Sequence, residues 1–199
     1  MLSCRFELFD RRQEVLASRV HTSRTRSIAF CGLCVAIMAV SAWITVPLGP
    51  VPFTLQIFAL VFAILVLRPK EAVASVAVYL LMGAVGLPVF SSMRGGIGVL
   101  MGPTGGFLWG CMLGAILAAV LLMLSSGKRE QRAIAVEATA AVAFLLVSYM
   151  CGWLQLAAVT QMGLSAAFAV GIAPFIVLDA IKIAIAVATA RAVRKALHL

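Results

Sequence analysis

Asp179 and Lys182 are the residues of this chain best placed to do chemistry, because both interrupt an otherwise apolar run, GIAPFIVLDAIKIAIAVATA, over 171–190. Three positions apart on a helix, they share one face. Each ionised group costs about 2.5–3.5 kcal/mol at the centre of a membrane helix. Mutual pairing offsets part of that cost, and a polar cavity offsets more. The pair is therefore either an ion pair that fixes helix packing or, the default for intramembrane ionisable residues, a substrate or ion site. Counted from an outer helix end near Val170 at the α-helical rise, Asp179 is expected roughly 14 Å down, within reach of an outward-opening pocket. Pro174 removes a backbone donor and is expected to kink the helix near its mouth.

A second constellation lies at 86–110, GLPVFSSMRGGIGVLMGPTGGFLWG, with eight of the chain's sixteen glycines, two of its seven prolines and Arg94. Glycine admits positive φ and close approach. Non-helical backbone at membrane depth survives only against protein or a cavity. This segment is therefore expected to be a structured lid and wall over a binding site. Glu137 lies within about one turn of a helix end, where snorkelling accounts for it. Trp43, Trp109, Trp153, Tyr79 and Tyr149 suit an interfacial aromatic belt, with Trp109 or Trp153 alternatively stacking on a ligand. Gly32 and Ala36, with Ala29 and Ala39 nearby, let two helices approach closely, as internal packing or as a docking face for another membrane protein.

Other chemistries lack their residues. There is no G-x-x-x-x-G-K-[ST] to cradle nucleotide phosphates and no H-E-x-x-H. The only histidines, His21 and His198, lie near the chain ends. No nucleophile–base pair stands out, so an enzyme is not expected, nor a metal or cofactor. Cys31 and Cys34 form C-x-x-C inside an apolar helix, where free cysteine behaves as a small hydrophobe.

The elements that carry these residues are membrane spans. The 199 residues are 63% hydrophobic and 12% charged, against about 45–50% and 25% in soluble domains. Mean hydropathy is +1.11. Six helical spans are expected, at 27–47, 54–68, 71–87, 105–124, 133–158 and 169–192. Residues 1–26 form a basic cytoplasmic tail, and 27–199 one transmembrane domain. The second and third spans are short for a bilayer, and Pro69 separates them.

The net charge of +9 follows topology rather than nucleic acid. Of sixteen Lys and Arg residues, fourteen fall in the tail, in two short breaks (Arg68 and Lys70; Lys128, Arg129 and Arg132) or after the last span. By the positive-inside rule both termini are then cytoplasmic. The result is an all-α, multi-pass protein of a bacterial-type cytoplasmic membrane, in which the tail can also rest on anionic headgroups of the lipid bilayer.

In order along the chain, PVPFTLQ (51–56 and its flanking proline), YLLMGAVGLPVF (79–90), GPTGGFLWG (102–110) and APFIVLDAIK (173–182) resemble the BioY family. That family comprises the biotin-specific substrate-binding subunits, or S components, of energy-coupling factor (ECF) transporters. The resemblance covers about 35–195. It implies a six-helix S-component bundle that binds biotin with high affinity at its outer side. It also implies partners: an ECF transmembrane coupling subunit and two ATPase subunits that drive uptake. Solitary or homo-oligomeric operation is left open by the family pattern.

Asp179 and Lys182 match the family's D-x-x-K motif, which contacts the vitamin. Arg94, Ser92, Tyr79, Thr104 and Gly105 complete the expected substrate-binding set, and the small-residue spacing of Gly32 and Ala36 makes them the expected partner interface. Two positions depart from the family: Phe107 replaces the usual tyrosine after GPTGG, and the chain contains no asparagine, for which Ser91 or Ser92 compensates. The rival reading is a proton-coupled secondary transporter of a small carboxylate, with Asp179 and Lys182 as the relay. Such carriers usually show inverted repeats, and none is evident here.

Overall fold

Apolar runs in this sequence become helices wherever proline and glycine permit. The computed structural model describes residues 24–47, 51–125 and 133–197. The tail up to residue 23 and Lys128, Arg129 and Arg132 lie outside them. Helix α1 runs Arg24–Trp43 and leads into a small antiparallel hairpin, β1 (Thr45–Val46) and β2 (Phe53–Thr54), with Thr45 opposite Thr54. Helices α2 (Gln56–Val66) and α3 (Pro69–Ala84) follow. Pro69 opens α3, where its missing N–H costs nothing, and Glu71 Oε2 accepts from the Arg68 N–H at 3.1 Å. After the glycine-rich segment, with its short α4 (Ile97–Met101), come α5 (Gly105–Leu124), α6 (Ile134–Thr160), α7 (Leu164–Gly171) and α8 (Ile176–Leu197).

Each expected span contains helix, but their lengths differ. Helices α1, α5 and α6 are long and apolar enough to cross a membrane, and α7 with α8 makes a fourth span bent by 47°. With 11 and 16 residues, α2 and α3 fall short of that length. The expected last span is two helices, because the chain breaks over 172–175 around Pro174. Asp179 consequently lies in the first turn of α8, not nine residues down a continuous helix.

Helices α5 and α6 meet along a stripe of glycines. Gly106, Gly110 and Gly114 recur every four residues on one face of α5. A Cβ on them would lie 2.3 Å from the Cys151 carbonyl oxygen, 2.6 Å from Ser148 Cα and 2.7 Å from the Phe144 carbonyl oxygen. Only glycine allows this contact, and in lipid such close packing is a main source of helix association. Many large apolar side chains face outward, among them Leu81, Leu113, Leu146 and Val177, as a lipid-covered surface requires.

At one end of the bundle Glu137 is fully buried. It accepts from Arg191 Nη1 at 3.0 Å and from Arg194 Nη2. Arg194 Nη1 also donates to the Leu65 carbonyl at 3.0 Å. Glu137 therefore does not snorkel: two arginines of α8 compensate its charge inside the protein and tie α8 to α6 and α2.

Candidate functional site

Helix α8 presents Asp179 and Lys182 on one face, both almost fully buried. Lys182 Nζ lies 2.6 Å from Asp179 Oδ1. It also donates to the Thr54 carbonyl at 2.6 Å and stands 3.8 Å from the centre of the Phe53 ring. Asp179 Oδ2 accepts from the Tyr149 hydroxyl at 2.6 Å. The break before α8 gives Asp179 a place near a helix N-terminus, where the dipole favours a carboxylate. The β2 strand supplies Lys182 with a carbonyl and an aromatic face. Every charged atom of the pair is thus partnered within the protein, as a buried pair requires.

This cluster forms the polar end of a narrow cleft of about 80 Å³. Its other surfaces come from Val51 to Thr54, Gln56 and Ile57, Phe90, Ser91, Val99 and Thr104, Phe107 and Leu108, Tyr149, Gly171 and Phe175. Most of these are apolar. Hydroxyls from Ser91 and Thr104 are the polar groups of the glycine-rich wall.

The expected site residues divide accordingly. Asp179, Lys182 and Thr104 are brought together at the cleft. Tyr79 sits behind it, fully buried, accepting from Gln56 Nε2 at 3.1 Å and donating to the Val89 carbonyl at 2.9 Å. Gly105 does not line the cleft. It makes room for neighbouring chain, since a Cβ there would stand 1.8 Å from the Leu100 carbonyl oxygen. Ser91 rather than Ser92 faces the cleft. Arg94 is exposed and does not line the cleft, with Nε 3.4 Å from the Ser91 carbonyl.

Neither Trp109 nor Trp153 lines the cleft. Trp109 is exposed, and Trp153 donates to the Leu164 carbonyl at 2.8 Å with its ring edge against Phe168. Tyr149 is the residue the sequence understates, being bound to Asp179 rather than set in an interfacial belt.

Away from the cleft, α1 and α3 flank an apolar groove lined by Cys31, Gly32, Val35, Ala36, Ala39, Ser75 and Val78, among others. A Cβ on Gly32 would meet nothing within 4 Å, so this residue faces open space rather than an internal helix contact. Ser75 Oγ is buried there without a partner.

Among known proteins, the model of the BioY family matches residues 13–199. The biotin transporter BioY of Thermotoga maritima is 38% identical over 170 residues, covering 85% of this chain and 96% of that protein. The probable biotin transporter BioY of Pyrococcus horikoshii is 38% identical over 164 residues, covering 82% and 93%. A crystal structure of the S-component for biotin from an ECF-type ABC transporter superposes with a TM-score of 0.78 at 22% identity, over 87% of this chain and 93% of that one. That similarity extends to the fold as a whole.

Proposed function

The chain belongs to the BioY family, and we propose that it binds biotin at the Asp179–Lys182 cleft and carries it across the cell membrane as the S component of an ECF-type transporter. The observation that carries this reading is the cleft itself: a compensated ion pair at one end and apolar walls along the rest. The family relation favours it over a proton-coupled carrier of a small carboxylate.

The pair determines how biotin lies. Asp179 and Lys182 touch at a single point, whereas biotin's ureido and carboxylate groups are at opposite ends of the molecule. The pair has no net charge, so a further carboxylate placed there would leave an uncompensated anion in a poorly solvated site. A neutral ureido ring suits it: its N–H groups donate to Asp179 and its oxygen accepts from Lys182. The bicyclic ring and the valerate chain then lie against Phe90, Val99, Phe107 and Phe175. The carboxylate reaches the hydroxyls of Ser91 and Thr104 at the mouth, with Arg94 outside them.

Residues 27–199 act as one six-span domain with both termini cytoplasmic, the short α2 and α3 included. Gly32 and Ala36 form the docking face for a transmembrane coupling subunit, which with ATPase subunits supplies the energy this chain has no P-loop to harvest. Lipid covers the remaining apolar surface. Competition with labelled biotin tests the orientation: biotin methyl ester should displace it within about tenfold of biotin's own potency, as for a group that makes only peripheral polar contacts. An ester that fails to compete would place the carboxylate at Lys182 instead.

A further inference from the structure

The glycine-rich segment is bound to the rest of the protein at both ends. At its beginning the Trp43 indole donates to the Pro88 carbonyl at 2.6 Å, and the Tyr79 hydroxyl to the Val89 carbonyl at 2.9 Å. Between them Phe90 is completely buried, its ring against the edge of Tyr79 and filling the space left by Gly83, where a Cβ would lie 2.0 Å from it. Ser92 and Met93 follow with φ of 58° and 56°, a costly conformation for two successive non-glycine residues that persists only where surroundings enforce it. The Ser92 N–H is accepted by Thr45 Oγ1 at 3.3 Å. At the far end Gln155 of α6 spends both donors of its amide on this segment, at 2.9 Å to the Leu100 carbonyl and 2.8 Å to that of Gly102. The paired glycines of GPTGG make room for it: Cβ atoms on Gly105 and Gly106 would lie 2.7 Å from Gln155 Nε2 and 2.6 Å from its Cβ.

We propose that residues 88–104 are a fixed strap, not a moving lid, and that Tyr79, Trp43 and Gln155 are positioning residues that hold its cleft-facing side chains against bound ligand. Each pin lies directly behind a residue that faces the cleft. Tyr79 and Trp43 hold the Val89 and Pro88 carbonyls that lead into Phe90, and Gln155 holds the turn between Val99 and Thr104. The pins come from α1 and α3 on one side and from α6 on the other, so the strap bridges the molecule. This rests on the reading of the cleft as the biotin site.

Kinetics separate a strap from a lid. A wall that loosens holds ligand less well but leaves entry unchanged, whereas a gate that loosens speeds both directions. On the purified full chain, Gln155→Met and Tyr79→Phe should each release labelled biotin roughly tenfold faster, the scale of a lost buried hydrogen bond, with association as in the wild type. Trp153→Phe removes a similar indole–carbonyl bond away from the strap and should change neither rate. Faster association together with faster release, or no change in either rate, would overturn the proposal.

Hydrogen exchange on the ligand-free protein gives a second arm that does not depend on biotin. Peptides spanning 88–104 should be protected in the wild type and lose protection in Gln155→Met. Exchange that is already fast in the wild type would overturn the strap. A wild type that binds no biotin would sink the functional reading alone, leaving exchange to decide the strap.

Discussion

A carboxylate and an ammonium withdrawn together from water tolerate the loss of either partner poorly. Asp179 and Lys182 are 4% and 7% exposed, so removing one leaves the other as an uncompensated buried charge, at a cost of about 3–5 kcal/mol. Asp179→Asn and Lys182→Met should each lower the unfolding temperature of the ligand-free protein markedly. The double variant should unfold at a higher temperature than either single one, because it buries no charge. Thermal unfolding in detergent checks this, and costs that merely add would show the two groups to be uncoupled. The same residues explain what could be read from sequence. Two charges in an apolar helix declare a site. That Tyr149 is hydrogen-bonded to Asp179, or that Arg94 turns outward, depends on the relative rotation of distant elements. Glu137 illustrates the limit: near a helix end, snorkelling and burial look alike until its partners, 54 and 57 residues away, are placed.

At the scale of elements, apolar runs and their proline breaks place helix within each expected span, though not the short α4, since in a bilayer the backbone has few other ways to satisfy its hydrogen bonds. Less legible was the division of the last span at 172–175, because a proline can kink a helix or end it. The glycines of 102–114 carry two roles in one stretch: the first serve a turn, and the later ones a helix contact. Their spacing of four is visible, but not which helix they meet. The contact makes a direct prediction. Gly110→Leu would drive a side chain into the α6 backbone at Ser148 and should destabilise the protein by about 1–3 kcal/mol or more. Leu113→Ala, on the outward face of the same helix, should cost much less. Equal losses of thermal stability would remove the α5–α6 stripe from the account.

For the whole molecule, the Asp179–Lys182 cleft and the α1–α3 groove proposed for docking are separate surfaces joined by the bundle. Lys182 and Arg194 of α8 bond to the Thr54 carbonyl of β2, just before α2, and to the Leu65 carbonyl near the end of α2, while Tyr149 and Glu137 of α6 hold α8 at two levels. Helices α2, α6 and α8 thus form one braced unit around the polar end of the cleft, and the groove lies apart on α1 and α3. Binding and transport should therefore separate by mutation. Gly32→Leu, which fills open groove space, should leave biotin affinity of the purified chain within about twofold while abolishing uptake by cells that supply the energising subunits, as expected for sites with no shared partners. Retained uptake would move the docking face elsewhere. The most direct test of the central claim is equilibrium binding of labelled biotin to the purified, folded chain, with thiamine and riboflavin as competitors and Asp179→Asn alongside. The account predicts saturable sub-micromolar binding that both competitors leave intact and that Asp179→Asn abolishes. A well-folded wild type that does not bind biotin, or an Asp179→Asn variant that binds it equally well, would contradict it.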